Sequence, residues 1–253
     1  KGHIRWKTAT SHLTGRIVGG RDAKKEIPHM LRLTIGGLFC GATLVQSSGL
    51  QFGLTAAHCV VNIRSSPSSA RIIAGDYSLY YFANEQYRSP TKIVIHEQFN
   101  PKDKDLNNDI ALMFFAPFKV NSFVKPIKLP GYMWDVPGYV QISGWGSTAP
   151  EPNLKNPDIL QVADIHTVRR DCERFSNFGT TWRQICVQDD GVGSCIGDSG
   201  GPAIARNGSN SRKYVAGIAS YGLGSCGSDL PAVCTRVSAY VNWIQVQLTK
   251  QKG

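Results

Sequence analysis

Apolar residues in this chain arrive in short bursts, each closed by Gly, Pro, Asn or Ser. Met30–Ile35, Ala42–Gln46, Ala70–Gly75, Lys92–Ile95, Ile110–Phe115, Tyr139–Ser143, Tyr214–Ser220 and Val233–Val237 are bursts of strand length and predict strands. Ser147–Asp158 is too rich in Pro and Asn for regular structure. The period changes once. Between Ser238 and Lys250, Val241, Ile244 and Leu248 recur at three- and four-residue steps, which predicts a closing helix capped by Ser238. Many strands with one late helix predict an all-β barrel or sandwich. No tandem repeat is visible, and the proline-containing stretch Ser122–Leu129 is a candidate link between two similar lobes.

Length and composition narrow this. The 253 residues allow one compact unit or two small lobes, and 42% apolar content speaks against wholesale disorder. No apolar run approaches the roughly 18 to 20 residues that cross a bilayer as a helix, so no membrane partner is expected. The opening KGHIRWKTATSHLTGR is basic and polar and lacks an initial Met, so we expect an upstream segment to have been removed. Seven cysteines, at 40, 59, 172, 186, 195, 226 and 234, point to disulfides and a secreted, extracellular protein. The odd count leaves a thiol unpaired or bonded to another chain, and no Cys-x-x-Cys pair argues for zinc. Net charge is +10; residues 1–16 supply four cations and no acid, so their release leaves +6. The remaining charge is scattered, without a basic helix or stacking aromatics, and reads as solvated surface rather than a nucleic-acid site.

Three segments carry chemistry. A serine hydroxyl is a poor nucleophile unless a base takes its proton and donors meet the oxyanion that follows. Gly197-Asp198-Ser199-Gly200-Gly201-Pro202 sets a serine among glycines, which let backbone N–H groups turn inward and a substrate carbonyl approach. For the hexapeptide alone, the weaker alternative is a glycine-rich turn with a surface serine. Thr55-Ala56-Ala57-His58-Cys59 adds a histidine beside a cysteine, and Asn108-Asp109-Ile110-Ala111-Leu112 adds an acid at the mouth of an apolar strand. Together they fill the three roles of a catalytic triad: Ser199 as nucleophile, His58 as base then acid, and Asp109 to hold the imidazole tautomer.

In that order, with Ile17-Val18-Gly19-Gly20 near the start, TAAHC, NDIAL and GDSGGP resemble the chymotrypsin family of serine proteases. The similarity runs from Ile17 to Lys250, through Cys40-Gly41, Gly144-Trp145-Gly146, Ser220-Tyr221-Gly222 and Trp243-Ile244. It implies two six-stranded antiparallel β-barrels, over about 17–122 and about 123–237, a helix over about 238–250, and an active site in the cleft between barrels. It also implies an oxyanion hole from the N–H groups of Gly197 and Ser199, and peptide hydrolysis through an acyl-enzyme with no cofactor. Implied partners are polypeptide substrates, protein protease inhibitors and an activating trypsin-like protease, with no nucleic acid, around a monomer. The rival readings are a catalytically silent homologue that serves as a binding or cofactor protein, and a polyanion-binding protein such as one retained on heparin, which the scattered charges disfavour.

The resemblance further implies activation by cleavage after Arg16, which frees an ammonium on Ile17 to pair with Asp198 in a domain spanning 17–253. Two features depart from the family: Leu38 stands where zymogens often have a histidine, and propeptide 1–16 has no cysteine tether. The implied disulfides are Cys40–Cys59, Cys172–Cys186 and Cys195–Cys226, a set of three closer to invertebrate members, with Cys234 left over. Specificity in the family depends on the residue six before the nucleophile, an aspartate in trypsin-like members and Gly193 here. Gly193 and Ser194, with Ser220, Tyr221, Gly222, Ala232 and Cys234 around them, then imply an uncharged slot and cleavage after Phe, Tyr or Leu; elastase-like specificity is the alternative. Asp229 on the neighbouring loop would confer affinity for basic residues only by swinging inward. Asn207-Gly208-Ser209 is a glycosylation candidate and equally a hairpin turn. Asp76 and Glu85 are too few to predict a metal.

Overall fold

Gly, Pro and Asn cut this chain into strands too short to stand alone, and pairing between distant segments makes two sheets of them. The computed structural model describes residues 17–135, 138–149, 152–168, 182–208 and 212–253. A two-residue strand, β1 (Arg21–Asp22), precedes β2 (Met30–Ile35), β3 (Leu38–Ser47), β4 (Leu50–Thr55), one helical turn α1 (Ala57–Val60), β5 (Ala70–Ala74), β6 (Gln86–Arg88), β7 (Lys92–Ile95) and β8 (Ala111–Phe114). Apart from β1, these strands form one antiparallel sheet in the order β6-β5-β2-β3-β4-β8-β7. Only Ser89-Pro90-Thr91 separates the edge strands β6 and β7, so the chain itself joins the two edges and curls the sheet shut. Pro90 has no N–H to donate, which breaks one continuous strand into two. Seven strands appear where six were expected for that reason.

The second sheet contains β9 (Tyr139–Gly144), β10 (Gln161–His166), β11 (Gln184–Val187), β12 (Pro202–Asn207), β13 (Arg212–Gly222) and β14 (Ala232–Arg236), in the order β1-β10-β9-β12-β13-β14-β11. A bridge between Thr167 and Val187, with Val168 N–H donating to Cys186 O at 2.9 Å, ties β10 to β11 and closes this sheet too. The seventh strand is β1. Residues Ile17–Asp22, expected with the first barrel, therefore belong to the second, and Ile17 is fully buried in its core.

Burial on both faces explains why the strands read as bursts rather than as alternation. In β8, Ala111 and Met113 fill the first barrel, while Leu112 and Phe114 face a second core shared with β4, β13 and the C-terminal helix. That helix, α2 (Val241–Lys252), follows a 3-10 turn over Val237–Tyr240 and buries Ile244 and Leu248 completely. Each such side chain contributes roughly 1.5 to 3 kcal/mol. Ser238 is not its cap. The hydroxyl donates to Trp134 O at 3.0 Å and accepts from Arg236 Nε, so it anchors the preceding loop instead. The barrels meet at glycines: a Cβ on Gly41 would lie 2.6 Å from Gly201 Cα. No described helix is long and apolar enough to cross a membrane.

Candidate active site

Asn108 places the acid. Its φ of 60° is the left-handed conformation that Asn tolerates better than most residues, and Tyr240 donates to its Oδ1 at 3.0 Å. The chain then enters β8 with Asp109 fully buried at the barrel junction. Its carboxylate accepts the His58 N–H on Oδ1 (2.9 Å) and His58 Nδ1–H on Oδ2 (2.8 Å). The Ser220 hydroxyl donates to the same Oδ2 at 2.5 Å, and Thr235 Oγ1 donates to Asp109 O at 2.8 Å. A buried carboxylate can only accept, so the proton of a neutral imidazole sits on Nδ1 and Nε2 keeps its lone pair.

Ser199 sits in a turn that only glycines permit. Gly197 and Gly200 have φ of 99° and 79°, and a Cβ on Gly200 would lie 2.2 Å from Thr55 Oγ1. Gly41 N–H donates to Ser199 O at 2.7 Å across the barrels, and Gly200 N–H to Ala219 O at 2.8 Å. Ser199 O lies 3.6 Å from Sγ of Cys59, the residue after His58, within the Cys40–Cys59 disulfide. The backbone of Ser199 thus lies against the residue that follows His58, across the barrel junction, while His58 is held by Asp109. No hydrogen bond joins Ser199 Oγ to His58 Nε2 in this structure, and no described acceptor takes the N–H of Gly197 or Ser199.

Asp198 points the other way. Its carboxylate accepts Gly146 N–H (2.8 Å) and Cys195 N–H (2.9 Å), and burial pushes its pKa up to about 6 against those two donors. Gly144 and Gly146 make the room: a Cβ on Gly144 would fall 2.1 Å from Asp198 Oδ1. Nearby, Val18 bridges Gly193, and a Cβ on Gly19 would lie 2.2 Å from Gly191 O. Arg16 lies outside the described residues.

A cavity of about 300 Å³ opens beside Ser199. Gly193, Ser194, Ser220, Tyr221, Gly222 and Ala232 line it, and the Cys195–Cys226 disulfide joins its walls. None of its lining residues is charged. Asp229 is exposed outside it, where its carbonyl accepts Gln188 Nε2. Cys234, expected in the pocket, is instead 1% exposed in the core of the second barrel, and burial pushes its thiol up to about 12. It is unpaired and too deep to bond another chain. The sequence reading missed Val192, Ser225, Leu230 and Pro231 in the wall. Their only signal was position, flanking or falling between residues already picked. Cys186 is disulfide-bonded, while Cys172 lies outside the described residues. Asn207 ends β12 opposite Arg212, exposed in a hairpin whose Ser209 also lies outside them. Asp76, considered for a metal, receives Arg32 Nε instead.

The family model described as Trypsin matches residues 17–244. Among curated relatives, "Trypsin-1" of Astacus astacus is 36% identical over 90% of this chain and 98% of its own. "Serine protease 1" of Rattus norvegicus is 34% identical over 91% of this chain and 89% of its own. "Trypsin" of Sus scrofa is 34% identical, covering 91% and 94%. With both barrels and the His58–Asp109 geometry in place, these matches establish that the chain belongs to the trypsin family of serine endopeptidases.

Proposed function

We propose that the chain is the secreted zymogen of a serine endopeptidase that cuts after large apolar residues. Residues 1–16 are its activation peptide, removed by a trypsin-like protease after Arg16, and residues 17–253 act as a monomer that protein inhibitors hold. His58, Asp109 and Ser199 are the triad. With Nδ1–H held by Asp109, His58 Nε2 takes the Ser199 proton as Oγ attacks the scissile carbonyl. The uncommitted N–H groups of Gly197 and Ser199 then receive the oxyanion. His58 returns the proton to the departing amine, and water repeats the two steps on the acyl-enzyme. The missing Ser199–His58 hydrogen bond is consistent with a site without substrate, since such contacts tighten in the Michaelis complex.

Activation follows from Asp198. Among the described residues, a carboxylate buried on two N–H donors has no countercharge, which is costly, and the ammonium freed on Ile17 supplies it.

The observation that carries the specificity is the uncharged wall around Gly193. A Lys or Arg head entering it loses hydration without compensation, at a cost of several kcal/mol. An apolar side chain gains roughly 1.5 to 3 kcal/mol on burial. The test is to cleave the chain with trypsin, confirm the Ile17 terminus, label with a fluorophosphonate, and assay peptides differing only before the scissile bond. Labelling that Ser199→Ala abolishes, with fastest hydrolysis after Phe, Tyr or Leu, supports the reading. Fastest cleavage after Arg, or after Ala, replaces the apolar assignment with trypsin-like or elastase-like specificity. An unlabelled cleaved chain is the silent homologue.

A further inference from the structure

Charges far apart in the sequence meet at a second cavity, of about 820 Å³. Its walls come from the segment before β2, the link between the barrels and the start of β13, and it shares no residue with the substrate pocket. Folding makes the convergence. Lys125 N–H donates to Pro28 O (2.8 Å) and Val215 N–H to Lys128 O (3.2 Å), which stitches the link to both barrels. Seven of the seventeen lining residues are Lys or Arg, including the adjacent pairs Lys24-Lys25 and Arg212-Lys213. The two lining acids are engaged: Asp22 Oδ1 accepts from Gln161 Nε2 (2.8 Å) and Glu26 Oε1 from Asn84 Nδ2 (3.2 Å).

His29 is also in the wall, 8% exposed, with no partner for Nε2 among the described residues. Burial, reinforced by Lys213, drives its pKa down to about 3. Lys213 is itself lowered by burial, then by the nearby Arg206, with Lys25 adding to the effect against Asp164. These cations are crowded, and an entering anion relieves that repulsion. Ile27, Pro28, Pro126 and Val162 supply an apolar share of the wall, while no Phe, Tyr or Trp is present for a nucleobase to stack on. A bare phosphate chain has no use for apolar wall, whereas the C–H faces of sugar rings do.

We propose that this cavity binds a sulfated glycan chain, its sulfates held by Lys25, Lys125, Lys128, Arg212 and Lys213 and its rings lying against Ile27 and Pro126. The test is titration of the full chain with a heparin oligosaccharide at several salt concentrations. K125E/K128E/K213E is expected to lose about tenfold or more in affinity and to flatten the salt dependence, because fewer counterions are exchanged. The same variant, once cleaved, keeps wild-type turnover of a small peptide, and K102E/K104E binds like wild type. If charge reversal compromises folding, K125Q/K128Q is expected to show a smaller loss in the same direction. Three results overturn the proposal: no binding by wild type, cavity variants that bind as wild type does, or equal loss in K102E/K104E. Equally tight binding of inorganic polyphosphate or duplex DNA overturns the assignment to a sulfated glycan.

Discussion

Gly193 shows how one absent side chain sets the chemistry of a pocket. A Cβ built there lies 3.3 Å from Gly227 N, a tight but adjustable contact, and the rest of the wall carries no charge. Gly193→Asp therefore places a carboxylate in the proposed substrate pocket at modest steric cost. The expected outcome is a fall of about tenfold or more in kcat/KM for a Phe peptide, with new activity on Arg peptides, since a desolvated charge now meets its opposite. Ser220 carries a second lesson. The sequence placed it in the pocket wall, which it does line, but its hydroxyl also donates to Asp109. Ser220→Ala removes one of three hydrogen bonds that hold that carboxylate. It is expected to lower kcat more than it raises KM and to cost about 1 to 3 kcal/mol in unfolding free energy, read by kinetics and denaturant titration. Residues whose type and neighbours define a reaction, such as the proposed triad His58, Asp109 and Ser199, can be picked from the sequence, and the structure adds the His58–Asp109 hydrogen bonds. Cys234 was misplaced because, although it shares its face of β14 with Ala232 in the pocket wall, it sits further along the strand inside the barrel core, a depth the motif does not encode.

At the scale of elements, the strands that the apolar bursts marked are present, while β1, β4, β6, β10, β11, β12 and the length of β3 were not marked. In β6 and β10, polar residues pair to their neighbours through backbone and so weaken the apolar trace: Gln86 opposes Ala74, and Gln161 opposes Gly144. The segment between β5 and β6 adds a pH-sensitive feature. Asp76 is buried against Arg32, and Glu85 is pushed up to about 7, by burial first and then by the Asp76 charge. A raised folded pKa means that the stability from this pair is fully present below the ordinary glutamate value of 4.5 and is lost as pH rises through about 7. Amide exchange in Gln86–Arg88, which pairs with Ile72–Ala74, is expected to quicken between pH 6 and 8 beyond the intrinsic chemical rate. Glu85→Gln, which stays neutral, is expected to abolish that excess; an unchanged excess would show that the opening has another origin.

For the molecule as a whole, the barrels are scaffolding for the two events proposed at their junction, proton transfer at His58 and the charging of Asp198. The proposed cleavage after Arg16 couples the second event to stability. Before cleavage, the folded pKa of Asp198 is about 6 against an ordinary 3.8, so the folded chain holds this proton more tightly than the unfolded chain. Its contribution is present below 3.8 and disappears as pH rises through about 6. A displacement of about two units corresponds to roughly 3 kcal/mol, so the uncleaved chain is expected to lose about that much stability between pH 4 and pH 7 from this group. On the proposed pairing, the Ile17 ammonium freed by cleavage favours the carboxylate, and the dependence is expected to shrink or reverse. Thermal unfolding of both forms measures this directly: cleavage should raise Tm by several degrees at pH 7 and far less at pH 4.5. Asp198→Asn, neutral at every pH, should erase the difference between the two pH values. An equal gain in Tm at both pH values would place the stabilisation in packing of the new terminus rather than in its charge.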